Sequence, residues 1–414
     1  VTESESQVGR RRFLSSAGLL AGGAAAGVAV GAVGGAVGKT AIDRHDDQSG
    51  PAVPAVSTIA FEGTHQAGVV DRQPAYFRFL ALDLVSGNAT AAGRASLRAA
   101  LLHLSSTARS AMAGRPSGPS ADIAAGLRPA QLSVTIGIGA SALVRAGLSV
   151  PEQLRALPTF STDHLDPAHC GGDLGVQICG EDPMVVAATA RSLVTGSLGG
   201  LSVRWSQGGF LRSAAAAVQP TATPRNLMGQ LDGTDNPTGT RQTLAVWVPE
   251  AGSPPWMRNG TYLVCRRIRM LLDEWDRTSV NSQERVIGRF KDSGAPLSGH
   301  LEHDVPQFTA TQSDGSLTIP ADAHVRLTHP ANNSAATMFR RGYSFDDGID
   351  ASGQLDAGLF FQAFQTDPQQ TFVPIQHKLA RSDALNSFIR HEGSAVFAIP
   401  PGASPGGFVG EGLF

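Results

Sequence analysis

"AYFRFLALDLV", residues 75–85, alternates with the period of two that marks a β-strand. The elements after this strand decide the fold. "RASLRAALLHLSSTARSAMAG" (94–114) carries apolar residues at helical spacing and stops at Gly114. "AQLSVTIGIGASAL" (130–143) and "GDLGVQICGED" (172–182) read as a second and a third strand. "PMVVAATARSLVTG" (183–196) reads as a helix with proline at its start and glycine at its end. "LSVRWSQGGF" (201–210) is a fourth strand. The order β-α-β-β-α-β is that of a ferredoxin-like unit.

The second half repeats the rhythm loosely. "GTYLVCRRIRM" (260–270) is a strand, and "LDEWDRTSVNSQERVIGRF" (272–290) looks helical with acids early. "HVRLTHP" (324–330) and "MFRRGYSF" (338–345) are short strand candidates, and "GLFFQAFQ" (358–365) is the strongest late strand. "FVPIQHKLARSDALNSFIRHEG" (372–393) reads as a helix, and "SAVFAIPPG" (394–402) closes the chain's regular structure. The expected fold is therefore α+β: duplicated ferredoxin-like units, 55–210 and 211–414, with antiparallel sheets covered by helices. The stretch 211–259 looks irregular, and a loop that long in a compact fold is usually functional.

The 414 residues are 42% hydrophobic and only 16% charged, with 48 Gly and 25 Pro, which suits a turn-rich fold with a sizeable core. A net charge of −2 gives no electrostatic case for nucleic acid. Cys170, Cys179 and Cys265 show no metal or redox spacing. A Cys170–Cys179 disulfide is conceivable, but structural thiols are the expectation. The start of the chain is an address. Arg10 and Arg11 precede Phe13 and Leu14, and no residue from Phe13 to Gly38 is charged. Twin arginines before a mildly apolar, Gly/Ala-rich run are the twin-arginine export pattern, with an uncleaved membrane anchor as the alternative. Residues 1–50 are thus read as signal peptide and flexible lead-in. That export route carries folded proteins, often with a cofactor already inserted.

Two segments carry chemistry. In "MGQLDGTDNPTGTRQ" (228–242), D-G and N-P are turn dipeptides, so a polar connector is the plain reading. The functional reading is that Gly229 and Gly233 let the backbone pass close to a flat ligand and aim Asp232 into a pocket. "HVRLTHPANNSAATMFRRGYSF" (324–345) holds His324, His329, Arg340 and Arg341. A neutral imidazole is a common iron ligand. A strand over 324–328 would put His324, Arg326 and Thr328 on one face. Taken alone, a histidine near a strand end and a double arginine on an edge strand are also ordinary surface features. The cluster His164, His169 and Cys170 would suit an exported copper- or zinc-binding module, though its spacing matches no strong metal motif.

The motifs in their order resemble the dye-decolorising peroxidase family, in its exported twin-arginine branch, over nearly the whole chain beyond the leader. "GTHQAGVV" (63–70) resembles the early motif, and "VTIGIGASAL" (134–143) the first-half strand. "GQLDG" (229–233) resembles the Gly-x-x-Asp-Gly signature, "HVRLTHP" (324–330) the proximal-histidine motif and "FRRGYSF" (339–345) the distal-arginine motif. "HEGSAVFAIPPGA" (391–403) resembles the C-terminal motif. The resemblance implies a pair of ferredoxin-like units with one haem b per chain in the C-terminal half. It implies His324 as the proximal iron ligand, Asp232 as the distal carboxylate and Arg340 as the distal arginine, with Arg341 the alternative if the register shifts by one. Gly233, Thr234 and Asp235 would lie against the haem, as would His329, Pro330 and Ala331. Where His329 stands the family commonly has Asn, and where Ala331 stands it often has a basic residue. Arg289 or Arg326 would then supply the missing charge.

The implied activity is a haem peroxidase that uses hydrogen peroxide to oxidise dyes and other bulky or phenolic one-electron donors through a ferryl haem. The alternative is a haem-handling protein that releases iron from haem, deferrochelatase-like. Expected partners are hydrogen peroxide, small-molecule reductants and the twin-arginine export machinery, with a homo-oligomer allowed and no nucleic acid. The expected location is outside the cytoplasm: extracellular, periplasmic or at the cell envelope. Trp205, Trp247, Trp256, Trp275, Tyr76, Tyr262 and Tyr343 are either packing residues or electron relays, with Tyr343 the relay candidate nearest Arg340 in sequence.

Overall fold

The computed structural model describes residues 58–414 apart from 86–89, 119–120, 197–198, 214–215, 220 and 252. The export-leader reading of residues 1–50, and its membrane-anchor alternative, lie outside the described residues.

The first half is β1 (Tyr76–Leu84), α1 (Thr90–Met112), β2 (Ser133–Ile138), the short α2 (Ala140–Arg145), β3 (Leu174–Gly180), α3 (Pro183–Thr195) and β4 (Leu201–Phe210). Its strands pair in the order β2-β3-β1-β4, all antiparallel. The second half is α4 (Gly239–Val246), β5 (Thr261–Met270), α5 (Leu272–Arg277), α6 (Val280–Ile287), α7 (His324–Thr328), β6 (Phe339–Arg340), β7 (Tyr343–Ile349), β8 (Leu355–Gln365), α8 (Phe372–Ser382) and β9 (Ile389–Ile399). Its strands pair in the equivalent order, β7-β8-β5-β9. In each half the first and third long strands lie side by side at the centre, which is the ferredoxin-like duplication read from the sequence. The halves meet by single residue pairs, Ile138 with Ala398 between β2 and β9, and Phe210 with Ser344 between β4 and β7. With β5 also paired to β8, the sheet closes into an eight-stranded antiparallel barrel, and β6 continues along β8. Closure removes the sheet edges that would otherwise invite aggregation.

The central strand β1 is buried on both faces. On β1, Phe77, Phe79 and Ala81 turn into the barrel with Trp205, Phe360, Phe364 and Phe397. Leu80, Leu82 and Leu84 turn out to meet Leu97, Leu101 and Leu104 of α1 and Val186 and Leu193 of α3. Local signals place the helices. Asp182 accepts from the Met184 and Val185 amides at 2.8 and 3.1 Å to start α3, and Ser279 caps α6.

Four expectations are corrected. His324–Thr328 is a helical turn, not a strand. Thr328 Oγ1 donates back to the His324 carbonyl at 2.9 Å, and the turn ends at His329, which must be extended ahead of Pro330. The stretch 272–290 is two helices, broken where Ser279 starts the second. The stretch 372–393 is helical only to Ser382. Asp383 then caps a 3-10 turn, Ala384–Ser387, and β9 begins at Ile389. The irregular stretch 211–259 contains α4. The three cysteines are free thiols, Cys179 and Cys265 buried, so no Cys170–Cys179 disulfide forms. Among the described residues no group of three or more His, Cys, Asp or Glu is arranged to hold a metal ion, the His164–His169–Cys170 cluster included.

Candidate active site

A cavity of about 250 Å³ lies between the outer face of the second half-sheet and helices α7 and α8. The sheet contributes Ile268 and Met270 of β5 and Leu359 and Phe361 of β8. The helices contribute His324, Val325 and Thr328 of α7 and Phe372, Ile375 and Leu379 of α8. Gly233, Asp232, Thr234, Asp235, Arg289, His329, Pro330 and Arg340 also line it. Of the residues that the family resemblance implies around a haem, this one cavity gathers all except Ala331 and the alternative arginines Arg326 and Arg341. Arg341 is wholly buried elsewhere and donates to the Asp71 and Arg72 carbonyls. Arg326 leaves α7 on the other side and donates to the carbonyls of Phe308, Ile319 and Pro320.

His324 sits at the first position of α7, so its ring projects beside the turn's start. Its Nδ1 is 2.6 Å from Asp383 Oδ2, and a third of its side chain is accessible. Burial opposes a charged imidazole, but the Asp383 carboxylate wins and holds the His324 pKa above its ordinary value. Asp383 is buried, and its other oxygen accepts from the Leu385 amide at 2.9 Å. One carboxylate thus ends α8 and orients the histidine. With Nδ1 engaged, Nε2 is the nitrogen left to ligate.

Asp232 and Arg340 form a pair. Arg340 Nη1 is 3.3 Å from Asp232 Oδ1, and both side chains are partly accessible. Asn226 Nδ2 is 3.4 Å from the other Asp232 oxygen. The left-handed backbone at Gly229 (φ 79°) and Gly233 (φ 120°) turns this loop into the cavity, as only glycine does at no steric cost. A second hollow of about 20 Å³ lies against the same pair, lined also by Gln73, Asn226, Gly342 and Ser344. That is room for about one water-sized molecule.

Arg289 is buried, with Nη1 donating to the Gly294 and Glu302 carbonyls at 2.7 and 2.8 Å. His329 Nδ1 accepts from the Ala331 amide at 3.2 Å, which leaves Nε2 to carry the proton of the neutral ring. Burial, with Arg289 and Arg241 adding to it against Asp235, holds the His329 pKa below its ordinary value. Further along the cavity wall stand Arg266, Gln376 and His391, all buried. Arg266 pairs with the buried Asp163. His391 Nε2 lies 3.3 Å from Gln376 Nε2. Burial, then the charge of Arg266, depresses the His391 pKa to about 3.

Sequence reasoning missed Asp383, Arg266, His391 and Gln376. Asp383 and Gln376 were hidden inside a helix read as unbroken. Arg266 and His391 were legible only as strand alternation, because Ile268 and Ile389 mark the same outward face.

The donor set suits haem: one imidazole backed by a carboxylate, a carboxylate–arginine pair, and walls of Met, Leu, Ile and Phe. Residues 66–211 match the N-terminal and residues 223–404 the C-terminal family model of the Dyp-type peroxidases. A dye-decolorizing peroxidase of Thermobifida fusca is 46% identical over 84% of this chain and 83% of that protein. A deferrochelatase of Yersinia pseudotuberculosis is 37% identical over 83% and 82%. The structure of ferric DtpA from Streptomyces lividans superposes with a TM-score of 0.83 at 44% identity, covering 87% of this chain and 99% of that one.

Proposed function

The chain belongs to the Dyp-type peroxidase family and is a haem-dependent peroxidase, and from that premise we propose the parts its residues play. Haem, here proposed as haem b at one per chain, supplies the iron redox chemistry by which hydrogen peroxide oxidises a donor one electron at a time. His324 Nε2 would ligate the iron, and Asp383 would keep the imidazole oriented and electron-rich. Asp232 takes the proton from the near oxygen of hydrogen peroxide and returns it to the far one. Arg340 places a permanent positive charge where the leaving oxygen becomes negative. Arg289 and His329 would present donors to the haem carboxylates, and Gly233, Thr234, Asp235 and Pro330 would lie against the ring. Ala331 stands just outside the cavity lining, so its backbone amide serves by orienting His329.

The observation that carries this reading is a single cavity holding both a carboxylate-backed histidine and a carboxylate–arginine pair. We also propose export by the twin-arginine machinery through residues 1–50, and 55–210 and 211–414 as the two structural units. Oxidation of dyes and other bulky donors is the main activity. Relatives named deferrochelatase support a second reading, release of iron from haem. Simple haem handling gives no role to the Asp232–Arg340 pair.

The test begins with an absorption spectrum. The purified protein, reconstituted with haem if necessary, is expected to show a Soret band and peroxide-dependent dye oxidation, both lost in His324→Ala. A protein that stays colourless after reconstitution sinks the reading. Iron-free porphyrin as the main product, without dye turnover, selects the second.

A further inference from the structure

We propose that Asn236 is the positioning residue for Arg340, its side-chain amide holding the arginine's backbone against the Asp232 loop. Asp232 and Arg340 are 108 residues apart in sequence and come from different elements. β6 is two residues long and pairs with β8 along one edge only, Phe339 opposite Phe364 and Arg340 opposite Ala363. The neighbouring Arg341 amide donates across that edge to the Gln362 carbonyl at 2.8 Å. By strand alternation the N–H and C=O of Arg340 point the other way, where no strand pairs with them. Backbone groups left in that position need partners. Asn236 supplies both: its Oδ1 accepts from the Arg340 N–H at 2.9 Å and its Nδ2 donates to the Arg340 carbonyl at 2.7 Å. A carboxamide carries one acceptor and one donor side by side, like a peptide unit, so it acts as one residue of a missing strand.

Asn236 is itself fixed to the other partner's loop. Its amide donates to the Gly233 carbonyl at 3.0 Å, next to Asp232, whose own amide donates to the Pro224 carbonyl at 2.9 Å. The 3.3 Å contact between Asp232 and Arg340 is thus set by a rigid turn at one end and a two-point clamp at the other. Asn236 lines the small hollow beside the pair and is not among the residues lining the large cavity, so it acts through Arg340 rather than on a bound molecule.

The inference rests on the proposed role of Arg340, and its test separates the two. Fluoride binding to the ferric holoprotein, followed by absorption, reads a distal hydrogen-bond donor without turnover. The rate of the absorption change on mixing with hydrogen peroxide reads the same geometry in reaction. Asn236→Ala is expected to weaken fluoride binding and slow the peroxide reaction by about 10- to 100-fold, the cost of misplacing a group by around an ångström.

Asn236→Asp makes the test specific. As a carboxylate it accepts from the N–H but sets oxygen against the Arg340 carbonyl. Protonated, it again offers one acceptor and one donor. Its fluoride affinity relative to the parent protein should therefore recover as pH falls from 7 toward 4, while the Asn236→Ala ratio stays low. An Asn236→Asp ratio that remains at the alanine level at pH 4 overturns the clamp. So does parent-like fluoride affinity in both Asn236 variants when Arg340→Ala is weakened, and that result leaves the proposed function standing. Parent-like affinity in Arg340→Ala removes the distal reading and the clamp with it.

Discussion

Asp232 and His391 line the same cavity and answer to different measurements. Without its proton-accepting oxygen, Asp232→Asn should lower the peroxide reaction's rate by about 10²-fold or more. Parent-like rates across a pH profile would take Asp232 off the proton path. His391 works against acid conditions. Its folded pKa is depressed to about 3, so between there and ~6.5 the unfolded chain binds a proton that the folded chain refuses. Stability then rises with pH across that window and is lost on acidification. His391→Gln should flatten the slope of unfolding free energy between pH 4 and 6 by up to about 1.4 kcal/mol per pH unit. An unchanged slope in urea titrations would mean that His391 is not the group responsible. A buried residue of the active-site cavity thus costs the protein stability on the acid side.

At the scale of elements, the break after α8 shows how one side chain serves two ends. Asp383 caps the 3-10 turn through Oδ1 and holds His324 through Oδ2. Asp383→Asn keeps an acceptor for the Leu385 amide but gives the histidine a neutral partner. The expected result is a protein of near-parent stability, with a more positive haem midpoint potential and about 10- to 100-fold less activity. Asp383→Ala should add the loss of a cap, about 1 kcal/mol. Equal midpoint potentials in the parent and Asp383→Asn would deny the carboxylate its electronic role. The same region marks the limit of what the sequence discloses. Long strands such as Leu201–Phe210 and helices with proline and glycine at their ends are legible because period and punctuation agree. His324–Thr328 is not, because five residues, two of them β-branched, carry no resolvable helical period, and the turn is set by Pro330 and by packing on α8. Asp232, His324 and Arg340 are legible through their motifs. Asp383 is not, because its role depends on a helix ending where the apolar spacing runs on.

At the scale of the molecule, duplication makes two half-sheets, but closure makes the site. The second half supplies the residues lining the large cavity, whereas β7, two residues beyond Arg341, is held in place by β4 of the first half. That seam is one residue pair wide and depends on Gly209. A Cβ there would lie 3.0 Å from the Phe77 ring, the Ser344 carbonyl oxygen and the Tyr343 Cβ. Gly137 has the same place at the other seam, 2.7 and 2.8 Å from the Ile399 and Phe397 side chains. Tyr343, stacked on Phe77 with ring centroids 4.6 Å apart, is thereby a packing residue of the barrel. Gly209→Val forces β4 and β7 apart, and overpacking a filled core of this kind costs about 1–3 kcal/mol. Val203→Ala, on the exposed side of the same strand, should stay within about 0.5 kcal/mol. Because the displaced segment lies directly after Arg340 and Arg341, Gly209→Val should also slow the peroxide reaction of the fraction that remains folded and haem-loaded. A destabilised protein whose folded fraction reacts at the parent rate would show that the seam holds the barrel together without setting the distal arginine. A protein of parent stability would show that the halves do not depend on this contact at all.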